Sequence, residues 1–161
     1  MLSVIIPAYN EELSVEKAYY TISGILKNEN IVNEIIFIDD GSSDNTYKII
    51  SELCNKEQGI VGLHFSRNFG KEAAISAGLA AAGGDCVVVI DCDLQHPPEK
   101  IVEMYRLWES GFEIVEGIKS SRGKESKIHG FAARSFYSVI SSFVGFDMSN
   151  SSDFKLLDRN V

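Results

Sequence analysis

The chain has 161 residues, of which 45% are hydrophobic and 24% are charged, and its formal net charge is -8 at neutral pH. This length fits one domain with its own core, and the composition excludes a disordered chain or a fibrous repeat. The acidic balance argues against a nucleic-acid-binding protein, whose surface must attract phosphates. Cys54, Cys86 and Cys92 lack the spacing of a zinc site and are typical of free thiols in a reducing compartment.

Strand-like and helix-like patterns alternate along the chain. In chain order they predict a strand over 2–6 ended by Pro7, a helix from 11 to about 27, a strand over 34–38, a helix from 43–46 to about 54, a strand over 60–65, a helix over 71–82, a strand over 85–90, a helix from Pro98 to about 108, a strand over 112–117 and an amphipathic helix from about 127 to 144. Strands separated by helices indicate a single doubly wound α/β domain with a mostly parallel sheet.

The fourth predicted strand ends in two carboxylates, Asp91 and Asp93, with Cys92 between them. Its β-branched residues indicate a strand that is buried on both faces, and ligands of open α/β sheets bind at the carboxyl ends of such strands. Two carboxylates this close repel each other unless a cation lies between them. Because oxygen ligands suit hard divalent metals, the pair predicts a metal site for a phosphate-bearing substrate.

Three polar clusters follow predicted strands and should converge at one edge of the sheet: 7–11, 39–42 and 91–95. Tyr9 can stack on a nucleobase, and Asp40 can accept a hydrogen bond from an imide N–H. Asp91, Asp93 and Gln95 offer oxygen ligands that leave metal positions open for phosphates. The alternative is that these carboxylates cap the helices that follow, although capping does not require paired acids twice.

One segment departs from the acidic balance of the chain. Between residues 119 and 134, Glu125 is the single acid beside five bases, which are Lys119, Arg122, Lys124, Lys127 and Arg134. A basic segment in an acidic chain predicts contact with an anion, either a substrate phosphate or anionic lipid head groups.

The motifs resemble those of inverting glycosyltransferases of family 2, which have the Rossmann-like GT-A fold. The resemblance is carried by residues 4–11, 38–46 and 91–93. Residues 67–71, 93–99 and 152–159 are further similar to the polyprenyl-phosphate glycosyltransferases, which include the bactoprenol glucosyltransferases and the dolichol-phosphate mannose synthases. The resemblance runs from residue 2 to the last residue.

The resemblance implies a nucleotide-sugar site, with a UDP-sugar favoured over GDP-mannose. It assigns the nucleobase to four residues, supported by Asp39: Pro7, Tyr9, Glu11 and Asp40. Lys71 would reach the base or the neighbouring phosphate, and Asp91 would lie near the ribose and the metal. Asp93 and Gln95 would bind Mg²⁺ or Mn²⁺ on the donor diphosphate. Arg67 belongs to the motif over 67–71, and a role in the site and a role as a surface ion-pair partner are equally favoured for it.

The resemblance also implies a polyprenyl phosphate acceptor at the cytoplasmic face of the membrane. A phosphomonoester is largely a dianion at neutral pH, so it is already a nucleophile and chiefly needs cations that offset its repulsion from the donor. The acceptor-phosphate candidates are Lys119, Arg122, Lys124, Lys127 and Arg134. Arg122 and Arg134 are the favoured catalytic cations, since guanidinium binds phosphate in a bidentate manner.

Two further positions complete the expected site. Asp153 is the candidate acid that acts as base or orients the acceptor, with a structural salt bridge as the alternative. His96 stands where relatives commonly carry Asp; it could alter metal affinity, but capping of the following helix is the favoured interpretation. His64 and His129 are expected to be structural.

Relatives of this kind continue into membrane helices, so residues 1–161 are expected to be a catalytic domain that stops before its membrane anchor. A homo-oligomer is possible. Three other classes compete: a haloacid-dehalogenase-like phosphatase, a phospho-receiver signalling domain and a transferase that binds without catalysis. The first two place their acidic motif after the first strand, whereas the pairs here follow later ones. Within the family, the acceptor could instead be a cell-surface glycan.

Overall fold

The computed structural model describes residues 1–117 and 154–161. Strands and helices alternate as expected. The elements are β1 (Leu2–Ala8), α1 (Val15–Asn28), β2 (Asn33–Asp39), α2 (Thr46–Lys56), β3 (Ile60–His64), α3 (Lys71–Ala81), β4 (Cys86–Val89), α4 (Lys100–Glu109), β5 (Ile114–Glu116) and β6 (Lys155–Asp158). The helix expected over 127–144 lies outside the described residues. No helix within the described ranges has the length and apolar character needed to cross a membrane.

The strands form one sheet in the order β3-β2-β1-β4-β6-β5. β1 pairs in parallel with β2 and β4, and β2 pairs in parallel with β3, whereas β6 runs antiparallel to both β4 and β5. The prediction of an α/β fold with a mostly parallel sheet is therefore confirmed. The chain leaves β1 in one direction toward β2 and β3 and returns to its other side as β4. A ligand crevice is expected at this reversal of strand order.

Alternating residues of the strands face two separate cores. On one face, residues such as Val4 and Phe37 pack in the same cluster as buried side chains of α1, α2 and α4. On the other face, Ile5 and Ile38 pack with Ala74 of α3. A Cβ at Gly78 would lie only 2.6 Å from Cγ2 of Ile5, so α3 approaches the sheet closely. This approach places the N-terminus of α3 beside the strand ends.

β1 continues through Pro7 to Ala8, two residues beyond the predicted end at Ile6. The reason lies in the pairing of β1 with β4. β4 ends at Val89, and the ladder closes with the hydrogen bond from Ile90 N–H to the Ile5 carbonyl. Alternation along the strand turns Pro7 toward this same side, where no partner strand remains. Its missing N–H therefore removes no ladder hydrogen bond.

Two helices, α1 and α4, start later than the sequence predicted. α1 begins at Val15 instead of residue 11 because the preceding residues are bound to the start of α2 and the loop before it: Glu11 N–H donates to Thr46 Oγ1 at 2.8 Å, and Glu12 N–H donates to Asp44 Oδ2 at 3.2 Å. α4 begins at Lys100 instead of Pro98, after a turn in which the Pro97 carbonyl accepts the Lys100 N–H.

The largest correction is β6, which the sequence analysis did not predict as a strand. Residues 155–158 insert between β4 and β5, with Val88 opposite Leu156 on one side and Val115 opposite Leu156 on the other. Leu156 is fully buried. Its residues, Lys-Leu-Leu-Asp, show neither the alternation nor the longer apolar run that identifies a strand from sequence.

Candidate active site

An open cleft of about 290 Å³ lies where the carboxyl ends of β1, β2 and β4 meet the start of α3. It opens between β1 and β4, at the reversal of strand order. The residues that line it are Pro7, Ala8, Tyr9, Glu11, Asp40, Asn68, Gly70, Lys71, Ala74, Asp91, Cys92 and Asp93. Seven of these are predicted site residues that lie far apart in the sequence, so the fold brings most of the predicted donor site together.

The loops that follow β1 and β2 are joined by hydrogen bonds. Asn10 adopts a left-handed backbone conformation, with φ of 56°. Its N–H donates to Ser42 Oγ at 2.8 Å, and its Oδ1 accepts the Ser43 N–H at 2.9 Å. These bonds hold the neighbouring Tyr9, which is 48% exposed, at the mouth of the cleft. Its ring is therefore accessible for stacking on a flat ligand.

Asp40 holds the loop that leads into α3. Its side chain is almost fully buried, and its two carboxylate oxygens accept the N–H groups of Phe69 at 2.7 Å and Gly70 at 2.9 Å. Gly70 has φ of 97°, a conformation that favours glycine. Because Lys71 follows directly as the first residue of α3, Asp40 fixes the position from which the Lys71 side chain enters the cleft.

Asp39 lies beneath the site and does not line the cleft. Its carboxylate is fully buried: Oδ1 accepts the Ser42 N–H at 3.2 Å and Oδ2 lies 2.6 Å from His64 Nδ1. The His64 ring in turn stacks on Tyr47, with centroids 4.1 Å apart. Asp39 therefore ties β3 to the loop after β2, and its support of the nucleobase residues stays a prediction.

Lys71 and Asp91 form an ion pair inside the cleft. Lys71 Nζ lies 2.6 Å from Asp91 Oδ1, and each side chain is 35% exposed. The pair joins the start of α3 to the residue just beyond β4, so the cation and the first carboxylate of the acidic motif face the same space.

Asp93 sits on a tight turn. Leu94 has φ of 55°, its N–H donates to the Asp91 carbonyl at 3.3 Å, and the Gln95 N–H donates to Asp93 Oδ1 at 3.0 Å. Asp93 is exposed, while Cys92 between the two acids is buried. Burial, reinforced by the charges of Glu11 and Asp93, raises the pKa of the Cys92 thiol to about 12. Cys92 is therefore a protonated thiol in the cleft wall.

The cleft fits a divalent metal that arrives with a phosphate ligand. Four carboxylates line it, and among the described lining residues Lys71 carries the positive charge, so a divalent cation would help to offset the charge of an anionic ligand there. Within the described ranges, no three His, Cys, Asp or Glu side chains cluster as a complete metal site. Mg²⁺ is commonly held by one or two carboxylates together with substrate phosphates, and the exposed Asp93 suits that arrangement.

Gln95 is exposed and is absent from the lining of the cleft. Its backbone N–H, rather than its side chain, contacts Asp93. The assignment of Gln95 as a metal ligand therefore stays a prediction, as do those of Asp91 and Asp93.

His96 does not cap α4, contrary to the favoured interpretation of the sequence. The N-cap position of α4 is Glu99, and the cap has no side-chain hydrogen bond. Instead the His96 ring stacks on Phe154, with centroids 5.0 Å apart and planes inclined by 23°. The two rings lie beside Asp91 at the end of β4.

The predicted acceptor residues and the candidate acid fall outside the described residues. They are Lys119, Arg122, Lys124, Lys127, Arg134 and Asp153. Their roles stay predictions. Conversely, the sequence analysis gave no role to Asn68, Ala74 or Cys92, which line the cleft. Only Asn68 carried a signal, because it belongs to the motif over 67–71; a buried alanine or cysteine gives none.

Comparison with known proteins shows the family of the chain. Residues 3–150 match the family model described as Glycosyl transferase family 2, so the chain belongs to glycosyltransferase family 2. The chain has the GT-A fold of this family, as expected from its motifs. This membership excludes the phosphatase and phospho-receiver alternatives.

Two relatives and one solved structure illustrate the similarity. An uncharacterized glycosyltransferase of Synechocystis sp. is 40% identical over 161 residues, covering 99% of this chain and 51% of the relative. The bactoprenol glucosyl transferase of Shigella phage SfV is 36% identical over 161 residues, covering 99% of this chain and 52% of the relative. The chain thus spans about half the length of the curated relatives it matches.

The solved structure is glucosyl-3-phosphoglycerate synthase from Mycobacterium tuberculosis in complex with Mn²⁺, uridine diphosphate and phosphoglyceric acid. It superposes with a TM-score of 0.67 at 25% identity, covering 99% of this chain and 56% of that one. The resemblance to family 2 and to the bactoprenol glucosyltransferases is therefore confirmed.

Proposed function

We propose that residues 1–161 form the catalytic domain of a metal-dependent, inverting glycosyltransferase that moves a hexose from a UDP-sugar to a polyprenyl phosphate. The observation that carries the proposal is the cleft at the β1/β4 reversal, which combines an exposed aromatic ring, one lysine and the Asp91/Asp93 pair. Similarity to bactoprenol glucosyl transferases supports the acceptor and the cytoplasmic membrane face as its location. The UDP and Mn²⁺ of the mycobacterial neighbour support the donor and the metal.

The donor is bound by groups that the cleft already presents. Tyr9 stacks on the uracil ring, with Pro7 beside it. Lys71 leaves its ion pair with Asp91 to meet the diphosphate, since a phosphate oxygen offers a stronger negative charge. Asp93 would hold the divalent ion that accompanies the diphosphate.

When bound, Mg²⁺ or Mn²⁺ offsets the charge that develops on the departing diphosphate. Asp93 provides the protein oxygen for it, and the turn that fixes Asp93 Oδ1 on the Gln95 N–H limits the conformations of that carboxylate. Preorganised charges of this kind favour the transition state over the ground state.

The transfer is a single displacement. An oxygen of the acceptor phosphate forms a bond to the anomeric carbon of the hexose, while the bond from that carbon to the diphosphate oxygen breaks. UDP leaves with that electron pair, and the configuration at carbon inverts. The five basic side chains between residues 119 and 134 offset the repulsion between the acceptor phosphate and the donor diphosphate, and Asp153 orients the acceptor.

Calorimetric titration of UDP and GDP, with and without Mn²⁺, tests the donor half of the proposal. We expect Mn²⁺-dependent binding of UDP that Asp93→Ala weakens by at least about tenfold. Glu99→Ala is the matched control, because Glu99 is an exposed acid a few residues along the same chain segment. Preference for GDP would replace UDP with GDP-mannose as donor, and retention of UDP binding by Asp93→Ala would overturn the metal assignment.

The acceptor half is tested on the chain extended through the remaining length of its relatives. Radiolabelled UDP-hexose is offered with polyprenyl phosphate or with a cell-surface polysaccharide, and the labelled product is identified by mass. Transfer to polyprenyl phosphate with inverted configuration is the expected result. Label that enters only the polysaccharide contradicts the acceptor proposal while leaving the donor site intact.

A further inference from the structure

The stack of His96 on Phe154 joins two parts of the chain that the acidic motif separates. His96 follows the turn that carries Asp91 and Asp93, whereas Phe154 directly precedes β6. The ring centroids are 5.0 Å apart and the planes are nearly parallel. Offset aromatic pairs of this separation attract each other beyond their simple burial.

Phe154 is a fixed partner for this ring. It is only 3% exposed, and its carbonyl accepts the Gly117 N–H at 2.9 Å. A Cβ at Gly117 would lie 2.5 Å from Phe154 Cδ1, so the ring is packed directly against that backbone. The stack on His96 therefore ties the turn to a residue that is held by its own burial and backbone pairing.

The start of the turn is restrained by the Lys71–Asp91 ion pair and by the burial of Cys92 in the core, and Leu94 packs against that core. Its end is held less firmly: among the described residues, the hydrogen bonds from Leu94 N–H to the Asp91 carbonyl and from Gln95 N–H to Asp93 Oδ1 are both local. Asp93 and Gln95 are exposed. The contact between His96 and Phe154 is thus a long-range restraint at the end of this turn.

We propose that His96 is a positioning residue for the acidic motif: its stack on Phe154 holds the Asp91–Gln95 turn in the conformation that presents Asp93 to the cleft. The role belongs to the flat ring and does not require the imidazole nitrogens. The expected effect of His96 on nucleotide binding rests on the proposed donor site.

Nuclear magnetic resonance tests the positioning without any nucleotide. The backbone order parameters of Leu94 and Gln95 are measured in the wild type, His96→Ala and His96→Phe. We expect values near ~0.85 in the wild type, a fall toward ~0.6 in His96→Ala, and recovery in His96→Phe, which keeps a flat ring. His64→Ala is the matched control, because it removes another imidazole stacked on an aromatic ring and should leave these two amides unchanged.

Calorimetry then connects the turn to the site. We expect His96→Ala to weaken Mn²⁺-dependent UDP binding by about three- to tenfold, the range for loss of one aromatic pair, and His96→Phe to restore it. A binding defect shared equally by both variants would assign the effect to the imidazole and overturn the proposal. So would unchanged order parameters in His96→Ala. If the order parameters respond but the wild type binds no UDP, the donor assignment fails and the positioning role stands.

Discussion

The ammonium group of Lys71 lies 2.6 Å from the carboxylate of Asp91, across a cleft that separates the start of α3 from the end of β4. In the absence of a nucleotide, the cation of the cleft is thus already engaged by the first acid of the motif. A phosphate that enters must compete for Lys71, and in doing so it releases Asp91.

Removal of the lysine charge should weaken diphosphate binding more than nucleoside binding. We expect Lys71→Met to reduce the affinity for UDP by about tenfold, the value of one charge-assisted hydrogen bond, and to leave uridine binding unchanged. Calorimetric titration of both ligands measures the difference. Lys100→Met, which removes an exposed lysine paired with Glu103, is the control. An equal loss for uridine and UDP would place Lys71 at the base instead.

Asp40 should stabilise the fold as well as the site. The two carboxylate oxygens of Asp40 accept hydrogen bonds from the backbone N–H groups of Phe69 and Gly70. In Asp40→Asn one of these oxygens becomes an NH₂ group, which cannot accept, so one buried backbone N–H loses its partner. We expect a loss of about 1–3 kcal/mol in the free energy of unfolding, measured with urea. Asp93→Asn, at an exposed position, should change it by less than about 0.5 kcal/mol. Similar values for both variants would contradict the structural role of Asp40.

A side chain at Gly41 should destabilise the fold, because both the backbone conformation and a close neighbour disfavour a Cβ there. Its φ is 68°, and a Cβ there would lie 2.6 Å from the Arg67 Cα. Gly59 is the matched control: its φ is 76°, but the nearest atom to a Cβ would be 3.6 Å away. We expect Gly59→Ala to cost about 1–2 kcal/mol in unfolding free energy and Gly41→Ala at least about 1 kcal/mol more. Equal costs would show that the Arg67 backbone yields readily.

The buried thiols should make the protein less stable in alkali. Burial raises the pKa of both Cys86 and Cys92 to about 12, whereas the thiols of the unfolded chain titrate near ~8.5. Between these values the unfolded chain has lost protons that the folded chain retains. The unfolding free energy therefore falls as pH rises from about 9 to 12, by up to about 1.4 kcal/mol per pH unit for each thiol.

Urea unfolding between pH 8 and 11 under reducing conditions measures this slope. Replacement of Cys86 and Cys92 by Ala should flatten it, while Cys54→Ala, at a half-buried position, should have a smaller effect. A slope that persists in the double variant would assign the alkaline sensitivity to other groups.

The sequence predicts the parallel part of the fold well because β1, β2 and β4 are buried apolar runs that end in polar residues. Asp39, Asp40, Asp91 and Asp93 could be assigned to one edge for the same reason. What it could not predict arises from contacts between distant segments. The engagement of Asp40 by Phe69 and Gly70, and the stack of His96 on Phe154, depend on tertiary distances.

The position of β6 has a consequence for how the sheet is completed. Among the described residues, β6 comes after β4 and β5 in the chain yet lies between them, with Leu156 opposite Val88 on one side and Val115 on the other. During synthesis, β4 and β5 emerge long before the strand that joins them, and until it arrives each presents an unpaired edge. Pairings between residues so distant in sequence form slowly. The β4 edge, which leads directly into the acidic motif, is thus open to mispairing in the nascent protein until β6 pairs with it.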